Sequence, residues 1–551
     1  MIKKFINNWW TLVIILLVAS SLRLWHLGSV PPSLTQDEAS LGYNAFSILK
    51  TGKDEYGKSF PVIFKSFGDY KPGLYVYLDV PLVATLGLTE VSVRLPSAIF
   101  GIISVLLIYL ILWNTFKNKT LSLSAAFIAA TNPWLIYFAR GAWEANVALT
   151  FTLFGIYFFL KSLKNQKYIL LSAIFLGLTG LTYQGAKLST SIVSLILLII
   201  YWKDTKGFSI KYIVSSIVLG ILISLPIVFS FFIGQAGRLD VFSIFSYPRP
   251  KEYTQAFLDQ GGEKFGTLSY YLFHSELLNF KRGILGRYFN EFSGKFLFFE
   301  GDYQNPGHSA PYQGVLLLSD IFLVVIGVVQ MIKNKTTKES LFFWLWLILA
   351  PLPAVLTRDQ VQSVRALNTA VPLIIILAFG LERTITFIQQ SKLKSFLYIL
   401  LFVVYFCSFT YFLDAYFVHV PKHNSSYWNY GYKQVVEKIS ILKNEGSNII
   451  VEQSFAQPYI YFLFYEKYDP VKYQKQAKLE SGQNNSDVGF VSSLDSLRFE
   501  TIDWSLIRNL HGSIVVIDGV TVIPGDLNYS EIDKIYFLNG RDLAFNIIKI
   551  K

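Results

Sequence analysis

The chain has 551 residues, 52% of them hydrophobic, 17% aromatic and only 16% charged, with a formal net charge of +12. Soluble proteins carry about 25% charged residues, and the apolar residues here come in long uncharged blocks, so the composition excludes an ordinary soluble chain and points to a membrane. The single cysteine, Cys407, excludes an intrachain disulfide and any paired-cysteine metal or redox motif.

Lys3 and Lys4 precede the first apolar block, 9–27, which continues through "LRLWHLG" past the small residues "VAS" and so reads as an uncleaved anchor, not a secretory signal peptide. Ten further blocks follow, at 95–113, 121–138, 145–160, 168–186, 188–202, 212–233, 314–332, 341–356, 367–382 and 395–413. Each approaches the roughly 20 residues that cross a bilayer. With the N-terminus in the cytoplasm, every inner connection carries cations: Lys117 and Lys119; Lys161, Lys164 and Lys167; Lys203, Lys206 and Lys211; Lys333, Lys335 and Lys338; Arg383, Lys392 and Lys394. The segments 28–94, 234–313 and 414–551 then lie outside. The basic charge is mostly a topology signal and not a nucleic-acid footprint.

In the first outer segment, "SVPPS" breaks the chain and Thr35 with Glu38 makes a capping-box pattern. A helix is expected over 36–50, with Leu41, Ala45, Ile48 and Leu49 on one face and Gly52 as its stop, lying along the membrane surface. "SFGDYKPGLYVYLDVP" follows, with Pro72 and Gly73 turning the chain. The second outer segment ends in "FFEGDYQNPGHSAPYQG", whose turn residues predict an ordered loop. Beyond residue 413, "YKQVVEKISILK", "NIIVEQS" and "SIVVIDG" mix helical period with short β-rich runs, which predicts a small α/β domain.

Acidic residues in a first helical turn complement the macrodipole, and the capping box uses Glu38, leaving Asp37 free. At a lipid–water boundary, partial desolvation moves a carboxylate towards the range of a general base. In "NPWLIYFARGAWEANVAL", Arg140 and Glu144 are four apart and share a face if helical, either as an ordinary ion pair or with Arg140 orienting Glu144 into a cavity shared with Asp37. Lys71, Arg94, Lys187, Arg358 and Arg365 run against the positive-inside bias. Singly, such cations snorkel or pair; clustered beside carboxylates they suit an anionic head group. Asp320, inside the eighth block, needs a partner and is expected to find one among them. His308 is a lone loop histidine, and the six histidines show no HxH or HExxH spacing, so no metal site is assigned. There is no P-loop and no Gly-rich dinucleotide signature.

In their order after an apolar anchor, "QDEASLGYNAFSILKTG", "SFGDYKPGLYVYL", "VRLPSAIFG" and "NPWLIYFARGAWEANVAL" resemble the protein O-mannosyltransferase and aminoarabinose-transferase group. These are polyprenyl-phosphate-sugar-dependent glycosyltransferases of the GT-C fold. The resemblance covers about 5–385 in organisation and is sharpest in 30–150. It implies a polytopic α-helical GT-C-like enzyme with about eleven transmembrane helices over 1–413 and an extracytoplasmic α/β domain over 414–551, in the plasma or inner membrane. By the same resemblance, Asp37 and Glu38 are the acidic pair, with Asp37 as base, and Glu144 is the third acidic element, beside Arg140. Lys71 would hold the donor phosphate, with Arg365 and Lys187; Asp69, Tyr70, Arg94 and His308 would support the cavity. Transfer would invert the anomeric carbon. The implied partners are a polyprenyl-phosphate-linked sugar, an acceptor protein, lipid or glycan, and membrane lipids, with no nucleic acid; no cofactor is assigned, and a divalent cation stays open. The C-terminal domain departs from the group's pattern, which leaves sugar and acceptor open. A transporter or lipid flippase is the competing class, but would show internal repeats and mid-membrane charges; an inactive scaffold of the same fold is the third.

Overall fold

The computed structural model describes residues 2–234, 243–333, 337–443, 448–454, 456–480 and 489–551; the expected inner cation Lys335 lies outside them. The first part of the chain forms ten helices: α1 (Ile2–Leu24), α2 (Gln36–Thr51), α3 (Leu74–Leu86), α4 (Glu90–Phe116), α5 (Lys119–Thr131), α6 (Pro133–Ala139), α7 (Glu144–Ser162), α8 (Tyr168–Thr182), α9 (Ala186–Thr205) and α10 (Ile210–Phe232). Further on, Asp320–Lys333, Lys338–Leu349 with Leu352–Val355, Ala370–Gln390 and Lys394–Asp414 are helical, so every expected apolar block contains a helix, the eighth only from Asp320 on. Among the described residues, seven helices are long and apolar enough to cross a membrane, or eight with α5 and α6 counted as one span bent by 54°. The bend is written in "TNP": the Asn132 side chain accepts from the Leu135 N–H, and Pro133 starts a new helix where its missing N–H costs nothing.

The capping box on α2 forms as expected, with Thr35 accepting from the Glu38 N–H and Glu38 from the Thr35 N–H, and Gly52 closes the helix at φ 67°. α2 is more than a surface helix, however: protein packs against both of its sides. It is buried from Glu38 to Ala45 because the C-terminal domain covers it. One hydrophobic cluster joins Leu34, Tyr43 and Ile48 to Phe67 and Tyr75 and to Tyr459, Tyr461 and Phe462 of the domain. Polar contacts cross the same seam: the Tyr461 hydroxyl donates to the Leu34 carbonyl (3.3 Å), the Gln457 N–H to Gln36 (3.0 Å) and the Tyr43 hydroxyl to the Tyr468 carbonyl (3.2 Å). The periodicity of 36–50 revealed a helix with a buried face, but not that its other face is roofed by protein.

Between α2 and α3 a hairpin of β1 (Ile63–Ser66) and β2 (Asp69–Pro72) pairs Phe64 with Lys71, so "DYKP" is a short strand whose side chains have fixed facing. Among the described residues, the C-terminal domain contains a six-stranded mixed sheet in the order β4 (Ser493–Leu494), β5 (Leu497–Glu500), β3 (Ile449–Glu452), β6 (Ile514–Asp518), β8 (Leu543–Ile550), β7 (Tyr529–Tyr536). β3 runs parallel to both of its neighbours and is buried throughout, as its uninterrupted "IIV" suggests.

Glu55 sits in the seam with no solvent exposure. Its carboxyl accepts from the Asn44 amide (3.1 Å) and the Tyr459 hydroxyl (3.4 Å). Burial pushes its pKa up to about 8 against the pull of the Asn44 hydrogen bond. Between about pH 4.5 and 8 the folded chain therefore holds a proton that the unfolded chain has released. This contribution to stability is full below pH 4.5 and declines as pH rises through 8, at up to about 1.4 kcal/mol per pH unit. Glu55→Gln should flatten the fall in thermal stability over that interval, and thermal unfolding of the purified chain across the pH series reads it directly.

Candidate active site

The link between α1 and α2 is irregular backbone, partly buried, where unpaired carbonyls are costly. Two buried arginines satisfy it. Arg94, from the first turns of α4, donates Nη1 to the carbonyls of Leu27 (3.1 Å) and Pro31 (2.9 Å) and Nη2 to that of Ser33. Arg140, which caps α6, donates to the carbonyls of Leu22 (2.8 Å), Trp25 (2.6 Å) and Val30 (2.9 Å) and lies over the Phe417 ring. Arg140 and Glu144 therefore do not pair. The helix breaks between them, Arg140 ending α6 and Glu144 opening α7, so the four-residue spacing does not place them on one face.

Arg94 also grips Glu38 with both arms of its fork, Nε to Oε1 at 3.0 Å and Nη2 to Oε2 at 3.1 Å. Glu38 Oε1 further accepts the Ala142 N–H (2.8 Å). One carboxylate thus ties the start of α2 to α4 and to the turn that leads into α7. With its side chain 5% exposed and all its contacts internal, Glu38 is a strut, and Arg94 is its counter-ion instead of a cavity cation.

Asp37, one residue earlier, points the other way. Its side chain is 57% exposed and its Oδ1 lies 2.5 Å from Lys71 Nζ. The desolvated carboxylate expected at this position is instead an accessible one held on a cation. Burial pulls the Lys71 ammonium's pKa down, but Asp37, Glu144 and Asp69 outweigh it and hold it above the usual lysine range, so Lys71 is charged at any physiological pH. Glu144 lies within electrostatic reach of both Lys71 and Asp37. Three elements, α2, β2 and the start of α7, thus converge with two carboxylates and one ammonium.

The cluster extends through the turn between α8 and α9. Lys187 feels the charge of Asp69. The Gln184 amide donates to the Tyr70 carbonyl (2.9 Å), fixing the strand that carries Lys71. Tyr183 accepts from the Arg365 guanidinium and stands near Glu144, while Arg365 also binds Asp359 at 3.1 Å. Tyr183 and Gln184 were missed in the sequence; two polar residues directly ahead of Lys187, at the end of an apolar block, were the available signal. His308 stands beside the cluster, edge-on to Trp143 at 5.2 Å, with Nδ1 3.5 Å from Asp302. Asp302 is buried, which would raise its pKa, but His308, Ser363 and Asn305 hold it below the usual carboxylate range. Asp320 finds no cation: Oδ2 accepts the Leu317 N–H, and Oδ1 has no hydrogen-bond partner in the structure. That backbone contact comes from the segment just ahead of its own helix.

The family model described as dolichyl-phosphate-mannose-protein mannosyltransferase matches residues 72–229. No curated protein matches the sequence significantly. Among solved structures, the chain is similar to ArnT from Cupriavidus metallidurans in the apo state, with a TM-score of 0.53 and 11% identity over 98% of this chain and 96% of that one. Against ArnT bound to undecaprenyl phosphate the TM-score is 0.55, again at 11% identity, over 97% of each chain. It is also similar to the Archaeoglobus fulgidus oligosaccharyltransferase, with a TM-score of 0.51 and 13% identity over 83% of this chain and 63% of that one.

Arg94→Ala would leave Glu38 buried without its counter-ion, a loss of about 3–5 kcal/mol. Thermal unfolding in detergent should show it, and Arg94→Lys, lacking the fork, should restore only part.

Proposed function

Because the chain has the GT-C fold of a multi-pass membrane protein, we propose that it is a glycosyltransferase moving a sugar from a polyprenyl-phosphate donor to an acceptor hydroxyl, with inversion. The observation that carries this reading is the ion pair of Asp37 with Lys71 at 2.5 Å, with Glu144 beside it. That undecaprenyl phosphate binds a chain of the same fold supports a lipid-phosphate donor.

The chemistry needs a base at the acceptor and positive charge at the leaving group. Asp37, more than half exposed, takes the proton of the acceptor hydroxyl. As that oxygen attacks the anomeric carbon, the bond from this carbon to the phosphate oxygen breaks on the opposite face, and its electron pair leaves with the polyprenyl phosphate. Lys71, kept cationic by its acidic neighbours, meets that developing charge, with Arg365 and Lys187 on the far side of the cluster. Glu144 balances Lys71 and orients the acceptor. Among the described residues no group of three or more His, Cys, Asp or Glu side chains converges as metal ligands. The ammonium between the carboxylates does not fit a cation site, so no step here runs through a metal.

In this reading 1–413 is the transmembrane module and 414–551 an extracytoplasmic domain, with the N-terminus in the cytoplasm and the site at the outer face of the plasma or inner membrane. The sugar is a hexose or pentose, and the acceptor a protein, lipid or glycan.

Asp37→Asn should lower transfer from radiolabelled polyprenyl-phosphate sugars to a membrane extract by about 10²–10⁴-fold while leaving donor binding intact; full activity would remove Asp37 from the mechanism. Lys71→Ala should weaken binding of polyprenyl phosphate by about tenfold or more, measured by direct titration, and unchanged affinity would end its phosphate role.

A further inference from the structure

A second cluster of cations lies outside the site described above. The helices Lys251–Gln260 and Glu276–Asn290 belong to the second outer segment. The latter has no buried residue and exposes Leu277, Leu285 and Phe289. In a membrane-spanning chain such an apolar, basic helix rests among lipid head groups. Where it meets the segment 357–365, a cavity of about 140 Å³ opens, lined by Tyr247, Asn279, Phe280, Gly283, Arg287 and Arg358. That is several times the space one water needs.

The cavity's polar lining is made of donors. Arg287 donates Nη2 to the Arg358 carbonyl (3.0 Å), while its Nε is buried with no hydrogen-bond partner in the structure. Arg358 donates to the Tyr247 hydroxyl (3.2 Å) and lies over that ring. Asn279 lines it too, its amide donating to Glu276 (3.3 Å), and no carboxylate is itself among the lining residues. Asp359, the nearest acid along the chain from Arg358, accepts from Arg365 (3.1 Å) and Gln362 (3.1 Å). Gly283 makes the room: a Cβ there would stand 2.8 Å from Arg287 Nη1 and 3.3 Å from Ile244. An unpaired buried guanidinium nitrogen is costly, and two planar forks beside a lipid-facing helix match the tetrahedral oxygens of a phosphate.

We infer that this cavity binds the phosphate of a membrane amphiphile, with its hydrocarbon along Leu277, Leu285 and Phe289. Neither Asp37, Lys71 nor Glu144 lines the cavity, and it serves lipid binding whether or not the Asp37–Lys71 pair transfers sugar. Two lipids carry this chemistry: a phospholipid diester and a polyprenyl phosphate monoester.

The test offers the full-length, delipidated chain phosphatidylglycerol or undecaprenyl phosphate and counts retained lipid by native mass spectrometry. Lys71→Ala, whose first site is weakened, should keep one such lipid, and the double variant Arg287→Gln/Arg358→Gln should hold about tenfold or more less phosphatidylglycerol than the unaltered chain. Gly283→Ala, which displaces the Arg287 head, should act in the same direction and serves if the double variant does not fold. Retention of phosphatidylglycerol by Lys71→Ala identifies the diester as occupant; its displacement there by undecaprenyl phosphate identifies the carrier. Retention of both lipids by folded Arg287→Gln/Arg358→Gln at the level of the unaltered chain overturns the proposal, and activity loss in Asp37→Asn leaves it untouched.

Discussion

Everything at the candidate site hangs on one buried carboxylate. Glu38 closes the capping box of α2, accepts both arms of Arg94 from α4 and takes the Ala142 N–H from the turn before α7. These partners are far apart in the chain, and joining them fixes where α2 begins relative to α7. Asp37 and Glu144, each at the first turn of its helix, are brought towards one ammonium as a result. The arrangement is a division of labour between adjacent acids: one is fully satisfied and holds the frame, the other is exposed and available.

Buried arginines do the corresponding work for the backbone. Arg23 donates to the carbonyls of Ala129 and Ala130, while Arg94 and Arg140 bind those of the α1–α2 link. A guanidinium presents five donors in a fixed plane, so one side chain can satisfy several carbonyls that no helix or sheet reaches. The cations near these helix ends thus divide into two kinds: those that hold backbone, such as Arg94 and Arg140, and those that face the carboxylate cluster, such as Lys71. The C-terminal domain completes the frame from outside by roofing α2, so it bears on the site mechanically even though it contributes none of the carboxylates or cations discussed above.

The amino-acid pattern made much of this legible. The apolar blocks map onto helices because each must satisfy its own backbone in lipid, and "TQDE" and Gly52 bound α2 because caps are local chemistry. The nearness of Asp37, Lys71 and Glu144 was also anticipated, on the strength of motif order. Arg140 was misread because spacing implies a shared face only within an unbroken helix. Tyr183 and Gln184 were overlooked because neither residue type marks a site by itself; only their contacts with Arg365, Glu144 and Tyr70 give them a place.

What the sequence determined by itself is therefore what depends on neighbours within a few residues: the apolar helices, the caps and the β-rich character of the C-terminal segment. Tertiary structure alone decided which charge meets which. Glu38 and Asp37 are adjacent and chemically alike, yet one is sealed against Arg94 and the other opened towards Lys71, because ion pairing and burial are set by elements 34 to 104 residues away. No local pattern carries information over that distance; packing does.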